Sequence, residues 1–238
     1  APARATPAAP LRVLDVGCGI GGTSRYIASK LGAAANVTGI TLSPKQVARG
    51  MSLVRERGLG AHCQLRVCDA LAMDFADDSF DVVWACESGE HMPDKRKYVE
   101  EMARVLRPGG RIAIATWCQR DNRTVPFTPK EEADLDYLYA EWTHPYFISI
   151  EEYAELMGAT RLDAIETADW NKETIASWRH SIWVGVWDPW PVVRRPRAWW
   201  KTVRDGVCLE RMHRAFDRGL MQFGMMTATK AATKPPAA

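Results

Sequence analysis

The 238-residue chain has no apolar run approaching the roughly 20 residues that cross a bilayer. No membrane-spanning helix is therefore expected. It has no Cys-x-x-Cys pair: its six cysteines, at 18, 63, 68, 86, 118 and 208, stand apart, mostly in strand-like or helix-like contexts. That pattern speaks against a disulfide framework and for buried, reduced thiols in an intracellular compartment, and no metal ion is expected. Net charge is nearly absent, +2 from 31 basic and 29 acidic residues, which removes the electrostatic case for a nucleic-acid partner. There is no internal repeat, no initiator Met and no hydrophobic signal core. With 47% hydrophobic and 25% charged residues, the chain has the make-up of a globular protein long enough for one α/β domain with an appended lid.

What is present centres on residues 12–23, Arg-Val-Leu-Asp-Val-Gly-Cys-Gly-Ile-Gly-Gly-Thr. Val13, Leu14 and Val16 suit a strand buried on both faces of a sheet. Glycines 17, 19, 21 and 22 follow, and residues 24–31 have helical spacing. A strand, a glycine turn and a helix N-terminus together form a nucleotide-binding element, because glycine admits close backbone approach and the helix offers free N–H groups. Gly17, Gly19 and Gly22 also fit the dinucleotide pattern G-x-G-x-x-G. That reading wants an acid at the end of the second strand, and the strand over 36–42 has none there; the acid stands at Asp15, ahead of the glycines.

Beyond the turn, strands and helices alternate. Strands are expected at 11–16, 36–41, 62–67, 80–85 and 111–117, with helices at 22–31, 43–57 (Ser43 as N-cap, Pro44 at N1) and 94–106. The segment 108–110, Pro-Gly-Gly, reads as a turn into the fifth strand. Helices follow at 128–142, 149–156, 171–187 and 199–220, with strands at 161–170 and 222–230. Such alternation implies a doubly wound sheet with ligands at the C-terminal ends of its strands. Four segments are expected: a disordered linker at 1–10, a cofactor-binding core at 11–121, a lid with the closing strands at 122–230, and a disordered tail at 231–238. Eight of the ten tryptophans lie after residue 140, so the second half is expected to meet something large and apolar.

Asp15, Gly17, Gly19 and Gly21, spaced Asp-x-Gly-x-Gly-x-Gly, resemble motif I of the class I S-adenosylmethionine (SAM) methyltransferases. In that family the glycine turn packs against the aminocarboxypropyl arm of SAM and the acid organises its ammonium end. The resemblance implies these roles for Asp15, Gly17, the backbone of Cys18, and Gly19. It also implies a Rossmann-like seven-stranded sheet whose last strand is antiparallel, with a helical, Trp-rich lid. Residues 39–46, Gly-Ile-Thr-Leu-Ser-Pro-Lys-Gln, resemble the subgroup of sterol, cyclopropane fatty acid and tocopherol methyltransferases, which implies cofactor contacts for Thr41, Leu42 and Gln46. Asp69 and Ala70, closing strand three, correspond to the adenine-binding pair; Asp69 also reads as a helix N-cap.

Residues 87–95, Glu-Ser-Gly-Glu-His-Met-Pro-Asp-Lys, resemble plant and algal γ-tocopherol C-methyltransferases, as do 15–26 and the segment Thr-Trp-Cys-x-Arg-Asp at 116–121. That family carries several dozen residues ahead of motif I, where here only ten precede it. The resemblance implies a plastid setting, SAM as methyl donor with S-adenosylhomocysteine (SAH) as product, and methylation of a carbon on a tocopherol-like chromanol or prenylated quinol. Relatives in the group methylate indole-alkaloid nitrogen, so N-methylation of an amine stays open, as does a SAM-binding module without turnover. His91, with Glu90 beside it, is the expected base, since ring methylation is eased as the neighbouring hydroxyl ionises. Glu87 and His91 are expected at the cofactor, and His144 is a second base candidate. Trp117, His144, Trp170, Trp178 and Trp183 are the expected walls for a small hydrophobic aromatic acceptor; tryptophan on an amphipathic helix also reads as core. Arg194, Arg195 and Arg197 beside Trp190, Trp199 and Trp200 suggest peripheral membrane contact or plain solvated charge. The sequence leaves the oligomeric state open.

Overall fold

The computed structural model describes residues 6, 8–187 and 199–232. Seven strands form one sheet in the order β3-β2-β1-β4-β5-β7-β6. These are β1 (Leu11–Val16), β2 (Ala35–Thr41), β3 (Cys63–Val67), β4 (Phe80–Cys86), β5 (Leu106–Gln119), β6 (Leu162–Asp169) and β7 (Met221–Lys230). The first five pair in parallel, and β7 runs antiparallel between β5 and β6. The order reverses between β1 and β4, so their C-terminal ends open a crevice at the switch point of the sheet.

Helices α1 (Gly22–Leu31), α2 (Pro44–Glu56) and α3 (Lys95–Val105) connect the parallel strands. Ser43 caps α2 by accepting from the Gln46 N–H, and Asp94 caps α3 by accepting from Lys97. The alternation along β1 sends Val13 to one face, where it meets Ala28, Val37, Val54 and Leu65. Leu14 and Val16 go to the other, with Tyr98, Met102, Ile112 and Tyr153. Tyr153 belongs to α5 (Ile150–Gly158), which packs on the same face as α3.

Two boundaries differ from the sequence expectation. The segment 108–110 does not end a turn ahead of β5 but lies inside it. β5 pairs with β4 from Phe80↔Leu106 onward, with a register shift between Phe80 and Val82, so the Pro-Gly-Gly run is absorbed as a bulge. The helix expected over 171–187 is two: α6 (Asn171–Thr174) and α7 (Ala176–Trp187). Asn171 is diverted to the sheet. Its side chain donates to the carbonyls of Phe216 and Met221 and accepts from the Phe223 N–H, fixing the start of β7.

The aromatic-rich half builds a third core from α4 (Pro129–Trp142), α7 and α8 (Trp199–Asp217) against the ends of β5 and β7. Trp117 sits at its middle, 5.1 Å from Trp178 and 5.4 Å from Trp142 between ring centroids, and Trp178 stacks on Phe216 at 5.3 Å. α4 begins with a capping box, Thr128 with Glu131, whose carboxylate also takes a two-pronged contact from Arg120. Among the described residues no helix is long and apolar enough to cross a membrane. Most of the expected N-terminal linker and C-terminal tail, and the stretch carrying Trp190, Arg194, Arg195 and Arg197, fall outside the described residues, as do the side chains of Trp199 and Trp200.

Candidate active site

The crevice at the C-terminal ends of β1–β4 is a cleft of about 290 Å³. The sequence-predicted residues Gly17, Gly19, Thr41, Leu42, Gln46, Asp69, Ala70, Glu87 and His91 all line it. Local chemistry places each. The N–H groups of Gly17 and Cys18 both donate to the Ile40 carbonyl, tying the turn to the end of β2. Thr41 donates its hydroxyl to the Gln46 side-chain oxygen at 2.6 Å, so the first turn of α2 is joined to the strand end. Leu42 is 67% exposed and forms an apolar rim. Asp69 spends one carboxylate oxygen capping the Leu71 N–H at 2.9 Å, which leaves the other for a ligand.

Asp15 and Cys18 stand behind the cleft rather than in its lining. Asp15 is buried and accepts from the Ser24 hydroxyl at 2.5 Å; burial pushes its carboxyl up to about 6. It braces the glycine turn against the start of α1. The Cys18 thiol is turned toward Gly39, and burial with the nearby Asp15 charge pushes it up to about 12, which favours the neutral thiol.

The fourth wall is the loop after β4. Glu87 takes a left-handed backbone, φ 50°, and its N–H donates to Ala115. Ser88 donates to the Val16 carbonyl and shares a hydrogen bond with the Tyr98 hydroxyl. A 3-10 turn, Gly89–His91, follows. Its carbonyls at Gly89 and Glu90, and that of Met92, all accept from the buried Lys95 ammonium. Desolvation lowers Lys95 to about 8, with the Glu90 charge pulling the other way. Glu90 is 1% exposed, accepts from the Thr116 hydroxyl at 2.6 Å, and is raised by burial to about 7. Ser88, Lys95 and Thr116 were not singled out from the sequence as site residues. Ser88 and Lys95 lie inside the quoted 87–95 segment, but nothing in a sequence shows that a lysine will be buried to gather three carbonyls.

His91 also lines a second, wide-open hollow, with Pro93, Asp136, Tyr139, Thr143, His144 and Pro145. The His91 and His144 rings lie 4.5 Å apart between centroids. Burial lowers both imidazoles, His144 to about 4, with the neighbouring His91 and Lys95 adding to it. Trp117 is buried behind His144, with centroids 5.4 Å apart, and Trp178 is buried behind Trp117. Trp170 and Trp183 are exposed and line neither hollow. Among the described residues no cluster of His, Cys, Asp or Glu is arranged to hold a metal ion.

This is the geometry of a class I methyltransferase: glycine turn, capped second helix and an acid after the third strand around one crevice at the switch point. A methyltransferase-domain family model matches residues 14–114. The chain is 43% identical over 228 residues to the 2-methyl-6-phytyl-1,4-hydroquinone methyltransferase of Synechocystis sp., covering 92% of this chain and 68% of that protein. It is 38% identical to the chloroplastic tocopherol O-methyltransferase of Arabidopsis thaliana, covering 92% of this chain and 63% of that one. It thus spans about two thirds of the length of these relatives. Among solved structures, a sarcosine dimethylglycine methyltransferase from Galdieria sulphuraria superposes with a TM-score of 0.79 over 93% of this chain and 79% of that one, at 20% identity, a likeness of fold. The chain belongs to the family of tocopherol and methyl-phytyl-hydroquinone methyltransferases, SAM-dependent enzymes built on the class I sheet.

The fit of SAM to this chain's own residues rests on the cleft. Two glycines with positive φ leave its floor without side chains, Asp69 keeps a free carboxylate oxygen after β3, and apolar Leu42 forms its rim. An Asp69→Ala variant is expected to bind SAH some 10–100-fold more weakly by calorimetry, the worth of a hydrogen bond to a charged acceptor. Lost capping of Leu71 should cost the fold only about 1 kcal/mol. Unchanged affinity would remove Asp69 from the adenine site.

Proposed function

We propose that this chain transfers a methyl group from SAM to a ring carbon of a phytyl-type hydroquinone or chromanol. The observation that carries the reading is that the two hollows meet at His91, which lines both. One is shaped for the donor, and the other is open, partly aromatic and bordered by the tryptophan core. The two named relatives support the acceptor class, and the chloroplastic name of the Arabidopsis protein supports a plastid setting.

In this reading residues 11–121 hold SAM and 122–230 supply the acceptor side. Gly17 and Gly19 let the aminocarboxypropyl arm lie on the backbone, while Asp15 braces that turn from behind. Thr41, Leu42 and Gln46 flank the ribose and adenine with Asp69 and Ala70. The sulfonium is already a good electrophile, so the protein's work is alignment and exclusion of water, and alignment alone supplies as much as about 7–11 kcal/mol. His91 stands where donor and acceptor meet. Glu90 does not reach either hollow; through Thr116 it positions the turn that carries His91. Trp117 and Trp178 back the acceptor wall. The exposed Trp170 and Trp183 fit peripheral contact with a membrane that stores a phytyl-tailed substrate.

The test is incubation with methyl-labelled SAM and a panel of phytyl hydroquinones, tocopherols and indole alkaloids, with the label located by NMR. Label on a ring carbon is expected. Label on nitrogen or on a phenolic oxygen would overturn the carbon assignment, and no label on any acceptor would leave only a SAM-binding module.

A further inference from the structure

The acceptor side holds a concentration of polar atoms that the protein itself does not satisfy. His144 is 7% exposed, yet neither Nδ1 nor Nε2 has a hydrogen-bond partner. Trp117 Nε1 and Trp142 Nε1 are buried without partners in the same aromatic cluster. Buried polar groups in native folds are nearly always paired. The His144 ring lines the acceptor hollow, so its two unpaired nitrogens mark a place where a ligand's hydroxyl completes the pairing. The backbone holds the imidazole there deliberately. α4 ends on Thr143 in a left-handed conformation, φ 57°, and the His144 N–H returns to the Tyr139 carbonyl at 3.0 Å. Trp117 and Phe147 enclose the ring, with centroids at 5.4 and 5.2 Å. On its remaining side is His91, which alone among the described residues borders both hollows.

Methylating a phenolic carbon needs two proton movements at two different atoms. We propose that this pair divides them: His144 takes the proton of the hydroxyl beside the methylated carbon, and His91 takes the ring proton that the new methyl group displaces. The assignment deepens the carbon-methylation reading and rests on it.

The electrons balance as follows. The ring carbon bonds to the methyl carbon, the methyl–sulfur bond breaks, and its pair stays on sulfur as the thioether of SAH. The hydroxyl proton passes to His144 as the ring becomes a dienone. The carbon-bound proton then leaves to His91, the ring regains its aromaticity, and the oxygen recovers its proton from His144. One proton is released overall, from the exposed His91 to solvent. A buried, weakly basic imidazole suits the first transfer, because the protonated dienone is far more acidic than any imidazolium. The proton therefore moves with methyl transfer rather than ahead of it.

The experiment uses the purified chain with a phytyl hydroquinone and its ring-fluorinated counterpart, whose more acidic hydroxyl depends less on a base. His144→Phe keeps the ring volume and is expected to lower kcat about 100-fold or more on the ordinary quinol. On the fluorinated quinol the loss should be much smaller, and SAH affinity should be unchanged. His91→Gln should make a ring-deuterated acceptor react measurably more slowly than the protiated one, where the wild type shows no difference. Equal losses on both quinols, or none, would overturn the His144 assignment. Absence of a ring isotope effect in His91→Gln would overturn the His91 half. Where His144→Phe fails to fold, His144→Gln is put through the same comparison and judged by the same outcomes. A wild type inactive on every quinol would instead sink the carbon-methylation reading, and this division with it.

Discussion

A Gly17→Ala variant will lose SAM binding and become less stable by roughly 2–5 kcal/mol. Two costs add. The backbone at Gly17 has φ 79°, which an L side chain adopts at about 1–2 kcal/mol. A methyl group there would also stand 2.3 Å from the Ser88 Cβ, an overlap worth about 1–3 kcal/mol once neighbours shift. Ser88 cannot give way easily, because its hydroxyl is bound to both the Val16 carbonyl and the Tyr98 phenol. The overlap therefore moves the loop that carries Glu87 and His91, and the donor cleft opens. Gly19→Ala separates the two costs. Its φ is 55°, but a methyl group there meets nothing within 4 Å. It should lose only the backbone part of the stability, measured by urea unfolding, and fold normally. Equal stability losses for the two variants would show that the contact with Ser88 carries no weight.

The second large effect concerns Glu90. Its carboxyl releases its proton near 4.5 in an unfolded chain and near 7 in the folded one, chiefly because burial disfavours the charge. Between those values the folded state holds the proton and the unfolded state does not. This contribution is therefore fully present below pH 4.5 and is lost as the pH rises to 7, by about 3 kcal/mol. Asp15, raised to about 6 by burial, adds a decline of the same sign that begins lower. Lys95 works only above pH 8, where its lowered value makes stability rise with pH. Glu90→Gln keeps an oxygen for the Thr116 hydroxyl and removes the charge. Its unfolding free energy should consequently fall less than that of the wild type between pH 5 and 7.5, by up to about 3 kcal/mol. Parallel pH profiles for the two proteins would show that Glu90 stays ionised in the fold.

The parallel half of the sheet was legible because its signals are local. Val13, Leu14 and Val16 before a glycine turn, Ser43-Pro44 as a cap, and the missing acid after β2 each state their structural meaning within a few residues. Donor-side residues from Gly17 to Asp69 came together in one cleft because they all sit at strand ends, which sequence order reveals. What failed to show was long-range or compensating. Asn171 breaks its helix for partners some fifty residues away, and Lys95 is buried for carbonyls rather than for a carboxylate. The tryptophans illustrate the same limit. Trp117 and Trp178 are core, Trp170 and Trp183 are exposed, and helical spacing could not sort them because the packing surface is built from β5, α4 and α8 together.

Calorimetric titration of the purified chain with SAH and, separately, with NADH tests the donor cleft most directly. Saturable heat with SAH, lost in Gly17→Ala, and none with NADH is the predicted result. Heat with NADH and none with SAH would contradict the cleft assignment from which the methyl-transfer chemistry follows.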